Sequence, residues 1–344
     1  MPMKFLIKQL IVTALLFFVV ACNSPESNEL KQDNLRADSL SIKLNSPELK
    51  AINAKLLEDP SSSALYNSRA QIYLNLRQFK EAINDAKRAI KLDSTVVDYY
   101  HTLTDVYFSE NSTRLAKDLL EIIERKFPDN TAAMLKLAEI YFLVKQYQKS
   151  IDYANKALKI DENIAKAYYI KGSVYREGGD TAKAISSLET VLEQDNKNED
   201  AFYDLGVMFA ARKNSLALDY YKNAKQINPN NTNTLYALAK FLQDIGKTDE
   251  AIAQYESILK LDKQCETCCY NLGAIYVEIK KDYKKALEYF TKAIEINSNY
   301  LEAYFARGYT YTKLKDKESA KADYSMCLKL QPNYEAAVEA MNEM

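Results

Sequence analysis

Apolar residues recur along most of this chain at the spacing of amphipathic helices, in segments separated by short polar turns. The pattern is clearest in residues 266–334, where it is written twice: CYNLGAIY precedes KALEYFTKAIEIN, and YFARGYTY precedes SAKADYSMCLKLQP. Superposing the copies aligns Gly273 with Gly308 and Tyr276 with Tyr311. Apolar positions at i, i+3, i+4 and i+7 predict helices. Each copy therefore predicts a helical hairpin with a period of about 34 residues.

The aligned positions resemble the tetratricopeptide repeat, whose signature runs through a large residue, Leu-Gly, Tyr, Ala, an aromatic, Ala and a closing Pro. The resemblance implies an all-α fold, a right-handed superhelical α-solenoid of about eight helical hairpins. A half-repeat at 46–60 and a capping helix at 335–344 complete a solenoid spanning residues 46–344. The full repeats are placed at 63–96, 97–130, 131–164, 165–198, 199–231, 232–265, 266–300 and 301–334.

This register accounts for the glycines and for two changes of repeat length. Four glycines occupy the small-residue position of a first helix, where close helix packing is expected, and the remaining three, Gly178, Gly179 and Gly246, fall in turns, where positive φ is easiest. A deletion near Lys213 and an insertion near Lys281 are expected in turns between helices. In the cap, one helical face is expected to carry Ala337, Val338, Met341 and Met344 and to cover the last repeat.

The N-terminal segment predicts export and lipidation. Lys4 and Lys8 precede a short apolar stretch that ends in Val19-Val20-Ala21-Cys22. The stretch has the length of a signal-peptide core, and its end resembles a bacterial lipobox. The resemblance implies that 1–21 is a lipoprotein signal peptide and that Cys22 carries the lipid. Residues 22–45 lack aromatics and are rich in Ser, Asn and charge, which predicts a flexible tether.

Composition and charge exclude several classes of function. Lysine and arginine total 46 against 47 acidic residues, so the basic stripe needed for nucleic-acid binding is not expected. With a single histidine, His101, catalytic histidine pairs and histidine-rich metal sites are not expected either. The sequence predicts no enzyme activity, no cofactor and no metal.

One cysteine cluster leaves several interpretations open. Cys265-Glu266-Thr267-Cys268-Cys269 lacks the histidine of a c-type haem motif, and a zinc site would need all three thiols plus Cys327. A thiol-redox role gains support from the position of Cys265 and Cys268 at a helix start. The preferred interpretation is a structural disulfide between Cys265 and Cys268, with Cys269 and Cys327 as buried thiols.

Helical spacing also predicts a partner-binding groove. With places counted from the first residue of each repeat, places 4, 7, 8 and 11 face the core, and places 2, 5, 9 and 12 face the other side. In the family that second stripe lines the concave surface, and place 5 is often Tyr. The groove residues predicted here are Tyr169, Tyr203, Tyr236, Tyr270, Phe305, Tyr309, Arg176, Lys240, His101 and Asp105. The groove cations also include Lys166, and charges of both signs predict a partner that carries both.

The first functional hypothesis is a membrane-anchored interaction scaffold of the bacterial cell envelope. It would bind envelope proteins or peptide segments in the concave groove, anchored by lipid to the outer membrane and facing the periplasm, with the cell surface as the alternative location. A second hypothesis is an accessory ligand-binding lipoprotein beside an outer-membrane transporter. A third is a thiol-redox protein using Cys265 and Cys268.

Overall fold

The computed structural model of the protein describes residues 46–344; the predicted signal peptide, Cys22 and the tether lie outside these residues. In this range the chain forms α-helices and one π-helical segment, with no strand. The helices are α1 (Pro47–Glu58), α2 (Ser63–Asn75), α3 (Phe79–Leu92), α4 (Val97–Ser109), α5 (Thr113–Lys126), α6 (Thr131–Leu143), α7 (Tyr147–Ile160), α8 (Ala165–Glu177), α9 (Thr181–Gln194), α10 (Glu199–Ala211), α11 (Leu216–Ile227), α12 (Thr232–Asp244), α13 (Thr248–Leu261), α14 (Glu266–Ile275), α15 (Tyr283–Ile296), α16 (Leu301–Lys313), α17 (Lys317–Leu330) and α18 (Glu335–Asn342).

Consecutive helices pack as hairpins of a first and a second helix, in agreement with the predicted all-α repeat fold. The pairs are α2–α3, α6–α7, α8–α9, α10–α11, α12–α13, α14–α15 and α16–α17. The chain divides into two compact units between Leu119 and Leu120, inside α5. The N-terminal unit comprises α1 to α4 and the start of α5, and the C-terminal unit comprises the remainder of the described chain. The division falls in repeat 97–130, where Ile123 replaces the usual alanine and is fully buried.

Short polar side chains define where many helices begin. Ser46 accepts a hydrogen bond from the Leu49 amide at 3.3 Å, and Pro47 follows as the first helical residue. Asn130 and Asn198 cap α6 and α10 in the same way, at 2.8 and 3.0 Å. Each cap satisfies an amide that the helix leaves unpaired and is worth about 1 kcal/mol.

The turn inside each hairpin has a left-handed residue at place 15, or at place 16 in repeat 266–300, and the three remaining glycines lie in such turns as predicted. Gly179 and Gly246 have positive φ, whereas Gly178 ends α8 with a right-handed conformation. The other six hairpins place a longer residue in the left-handed region: Arg77, Asn111, Lys145, Lys213, Lys281 and Lys315. The next amide closes the turn on the carbonyl at place 11, as from Gln78 to Tyr73 at 2.8 Å. This helix-ending bond offsets the cost of about 1–2 kcal/mol for a non-glycine residue there.

The extra residue near Lys281 does not lie in the turn, contrary to the prediction. The end of α14 widens into a π-helical segment, Tyr276–Lys280, which absorbs it. Lys281 therefore keeps the left-handed turn conformation, and Asp282 still caps α15. The deletion near Lys213 leaves α11 with 12 residues, two fewer than α9.

Close packing at the small-residue position holds the two helices of a hairpin together. A Cβ atom added at Gly273 would lie 2.6 Å from the ring of Phe290, and one added at Gly206 would lie 2.6 Å from the ring of Tyr221. Both rings are almost fully buried. A larger residue at this place would force the helices apart.

The last helix, α18, covers the final hairpin with only part of the predicted face. Ala337 is fully buried, and Met341 and Met344 pack against the same cluster of apolar residues. Val338 was predicted to share this contact, but 40% of it is exposed. An eight-residue helix turns one narrow stripe toward its neighbour, so Val338, next to Ala337, points away.

Candidate partner-binding face

Half-buried aromatic rings at place 5 follow the first helices of the C-terminal unit. Four of them pack against a buried ring on the second helix of the same repeat, with centroids 5.6 to 6.2 Å apart. That ring is at place 24, or one place away in the repeats with the deletion and the insertion. These pairs are Tyr203–Tyr221, Tyr236–Tyr255, Tyr270–Phe290 and Phe305–Tyr324. One side of each ring therefore packs against the core, and the other side is partly exposed. We call the place-5 residues Tyr169, Tyr203, Tyr236, Tyr270 and Phe305 the aromatic face.

The Tyr169 hydroxyl enters a polar cluster with the next repeat. It donates to Asp204 Oδ2 at 3.0 Å, and Arg176 Nη1 forms an ion pair with Asp204 Oδ1. Burial raises the pKa of Tyr169, and the Asp204 carboxylate raises it further. Arg176, which was predicted as a groove cation, therefore pairs with a buried carboxylate, because Asp204 is only 7% exposed. Sequence reasoning missed Asp204, which lies 35 residues after Tyr169.

A second contact follows the same spacing. Tyr236 Oη accepts a hydrogen bond from Asn271 Nδ2 at 3.0 Å, again between place 5 and place 6 of the next repeat. Tyr270 is enclosed further, because the Tyr300 ring lies 5.4 Å from its own. Burial, then Glu302, raises the pKa of Tyr270 to about 12. The aromatic face thus joins neighbouring repeats as well as presenting ring surface.

Tyr300 and Tyr334 extend the aromatic face and were not predicted. Both occupy the last place of a repeat, immediately before α16 and α18, and Tyr334 packs edge-on against Phe305 at 5.5 Å. The signal was present in the sequence as two tyrosines 34 residues apart. Both lie outside the first-helix places from which the groove was predicted.

The other predicted groove residues have different surroundings. Tyr309 is half-buried, with Lys313 Nζ 4.7 Å from its ring centroid, and Lys240 is half-buried on α12. Lys166, a further groove cation, pairs with Glu139 at 2.8 Å. His101 and Asp105 lie half-buried on α4, in the N-terminal unit, and each has interactions of its own. The aromatic face is accordingly a feature of the C-terminal unit alone.

The cysteine cluster contains a disulfide between Cys265 and Cys268, with sulfurs 2.09 Å apart. Cys265 also caps α14, since its sulfur accepts from the Cys268 amide at 3.3 Å. Cys269 and Cys327 are fully buried free thiols, and burial raises the pKa of both, to about 12 for Cys327. Thiols held in the protonated form are poor nucleophiles.

The described residues contain neither a metal-binding cluster nor a membrane-spanning helix. Within residues 46–344, no three His, Cys, Asp or Glu side chains are grouped in a way that would hold a metal ion. No helix in that range combines the length and apolar character needed to cross a bilayer.

Comparisons with known proteins show similarity in the repeats. The chain is 22% identical over 306 residues to human superkiller complex protein 3, a match covering 70% of this chain and 19% of that protein. It is 26% identical over 263 residues to the TPR repeat-containing protein MJ1428 of Methanocaldococcus jannaschii, covering 61% of this chain and 46% of that protein. The chain thus spans less than half the length of either relative.

Among solved structures, the C-terminal part of a TPR repeat-containing protein from Cytophaga hutchinsonii superposes with a TM-score of 0.61 at 18% identity. The match covers 69% of this chain and 97% of that one, and it shows the fold. Tetratricopeptide repeat models match residues 63–96, 129–197, 169–232, 208–268, 267–300 and 301–334. The matches cover well over half of the chain, and the chain belongs to the tetratricopeptide repeat family.

Proposed function

We propose that this protein is a non-enzymatic scaffold that binds a protein or peptide segment across the aromatic face of the C-terminal unit. The observation that carries the proposal is the run of half-exposed rings on five successive first helices, α8 to α16. Aromatic rings held rigid by a core on one side lose little conformational freedom on binding, and they are enriched among the residues that dominate binding energy.

Charges around the aromatic face limit the kinds of partner segment that can bind there. Asp200 lies in this region, and burial, then Glu199 and Asp204, raises the pKa of its carboxyl. Arg176 and Lys166 are both paired with carboxylates, so neither is available to clamp a partner's C-terminal carboxylate. A segment that inserts apolar or aromatic side chains between the tyrosines fits this arrangement.

We also propose that the scaffold works at the bacterial cell envelope, anchored to the outer membrane by lipid on Cys22 and facing the periplasm. Support comes from residues 1–22, where two lysines, an apolar stretch and Val19-Val20-Ala21-Cys22 stand in the order of a lipoprotein signal. Replacing Cys22 with Ala should release the protein into the soluble periplasmic fraction. Continued membrane association of that variant would overturn the lipid anchor.

The binding face is tested by photo-crosslinking in cells. A photoreactive phenylalanine analogue placed at Tyr203, Tyr236 or Tyr270 should crosslink to a specific partner. The matched control is Tyr289, a half-buried ring on the second helix α15, stacked on Tyr276 at 5.6 Å and outside the aromatic face. Crosslinks formed from position 289 and from none of the other three would move the interface away from the aromatic face.

A further inference from the structure

A polar pocket lies between the two helices of hairpin 165–198, on the core-side places rather than on the aromatic face. Its volume is about 240 Å³, and it is lined by Tyr168, Lys171, Tyr175, Lys183, Ser186, Ser187 and Thr190. The Lys171 ammonium lies 5.6 Å from the ring centroid of Tyr168. Lys183 forms an exposed ion pair with Asp180 at 2.8 Å. Lys171 is therefore the charge that distinguishes this pocket.

The repeat register shows what is unusual about Lys171. Place 7 is leucine in five hairpins and a cation in three, at Arg69, Lys171 and Arg307. Each cation stands between tyrosines at places 4 and 11, in the pattern Tyr-x-x-Arg/Lys-x-x-x-Tyr. The Arg69 guanidinium, for example, lies 5.5 and 5.9 Å from the rings of Tyr66 and Tyr73.

The three hairpins differ at place 23, sixteen residues after the cation. Asp85 receives two hydrogen bonds from Arg69, at 2.6 and 2.8 Å, and Asp323 receives two from Arg307, at 2.9 and 2.8 Å. In hairpin 165–198 the corresponding residue is Ser187. Its shorter, neutral side chain opens the pocket and leaves the cation without a carboxylate.

Two hydroxyl groups of the pocket lining donate to carbonyls of their own helix. The Ser187 hydroxyl donates a hydrogen bond to the Lys183 carbonyl at 2.7 Å, and the Thr190 hydroxyl donates one to the Ser186 carbonyl at 3.0 Å. No carboxylate of the described residues pairs with Lys171, and burial lowers its pKa. A half-buried ammonium in this state is stabilised by any anion that enters.

We propose that this pocket binds a side-chain carboxylate of a partner protein, in the place that Asp85 and Asp323 fill in the other two hairpins. The Lys171 ammonium pairs with the carboxylate, and the Tyr168 and Tyr175 rings flank the pair, as tyrosines flank Arg69 and Arg307. The site is separate from the aromatic face, and it requires neither that face nor the envelope location.

The test follows the Lys171 pKa by NMR of the full chain labelled with 13C at the lysine ε-carbon. The probe is N-acetyl-glutamate amide, with N-acetyl-glutamine amide as the neutral control and inorganic phosphate as a second anion. The glutamate probe should raise the pKa of Lys171 by about half a unit or more, and the glutamine probe should leave it unchanged. Equal shifts with glutamate and glutamine probes, or no shift, would overturn the proposal, and a larger shift with phosphate would reassign the pocket to phosphate.

Ser187→Asp supplies the internal control, because it places a carboxylate where Asp85 and Asp323 stand. The variant should raise the pKa of Lys171 by about one unit without any probe and abolish the response to the glutamate probe. Ser325→Asp, which adds the same charge at an exposed position of α17, should change neither result. A Ser187→Asp protein that still responds fully to the probe would show that the ligand binds elsewhere.

Discussion

Hairpins 301–334 and 165–198 carry the same tyrosine pair around a cation, and they differ in the residue that the second helix presents to it. In the first, Asp323 closes on Arg307 with two hydrogen bonds, and Thr291 of the preceding repeat accepts a third at 3.1 Å. In the second, Ser187 leaves Lys171 facing a pocket. The two hairpins therefore differ at two places, arginine against lysine at place 7 and aspartate against serine at place 23, and the second difference leaves the cation without a carboxylate.

The closed version appears in both units with the same geometry. In the N-terminal unit Arg69 binds Asp85 and also donates to Asn53 of the half-repeat at 2.8 Å. Asn53 and Thr291 each lie sixteen residues before the arginine that they accept from. A forked guanidinium meets two carboxylate oxygens and a third acceptor at once, which a lysine ammonium cannot do in this planar arrangement.

The largest expected effect comes from removing the internal carboxylate. Asp323→Ala leaves the Arg307 guanidinium, whose side chain is only 17% exposed, without its carboxylate partner. The substitution should lower the unfolding free energy of this hairpin by about 3 kcal/mol. Ser187→Ala, the same truncation in the open hairpin, removes no partner of Lys171 and should cost far less. Because repeats unfold locally, hydrogen exchange of the α17 and α9 amides measures the two costs separately. Equal protection loss in both helices would contradict the distinction between closed and open hairpins.

A smaller effect is expected from converting the open hairpin into a closed one. Lys171→Arg combined with Ser187→Asp recreates the Arg307–Asp323 pair, and a double-mutant cycle should give a favourable coupling of about 1–2 kcal/mol. The measurement is urea denaturation of the wild type, the two single variants and the double variant, monitored by far-UV circular dichroism. The control cycle pairs Lys222→Arg with Ser325→Asp, two exposed positions on different helices, and should show no coupling.

The smallest effect is expected at the third acceptor of the closed hairpin. Thr291→Ser keeps the hydroxyl that accepts from Arg307 Nη1, whereas Thr291→Val removes it with little change of shape. The valine variant should lose about 0.5–1 kcal/mol relative to the serine variant. Thermal denaturation of the pair measures the difference. A valine variant as stable as the serine variant would show that the two bonds to Asp323 alone hold the guanidinium.

Much of the fold could be predicted from the spacing of apolar residues, because each hairpin helix buries a narrow stripe of side chains and this stripe repeats about every 34 residues. The register placed Gly273 and Gly308 at a position of close helix packing, and in the structure the rings of Phe290 and Tyr324 lie against them. The backbone conformation of the turns was harder to predict from the sequence. The glycines gave no indication that Lys145 and Lys315 would also have positive φ, a conformation for which the helix-ending hydrogen bond compensates.

The binding face followed from sequence only in outline. Helical spacing placed Tyr169 and Tyr236 on one stripe, yet it gave no indication that Asp204 and Asn271 would bond their hydroxyls. Those bonds join residues 35 positions apart, in neighbouring first helices. They depend on how far apart the stacked helices lie, which a pattern within one helix does not contain.

By itself, the sequence determined the family, the number of hairpins between residues 63 and 334, and which places are small, large or polar, since these depend on the local period of each helix. The tertiary structure decided which charges are paired, where the extra residue near Lys281 is absorbed, and which cation is left facing a pocket. Arg307 and Lys171 occupy the same place in the same motif. The residue types at places 7 and 23 are written in the sequence, but only the packing of the two helices brings Asp323 to Arg307 and leaves Lys171 facing a pocket.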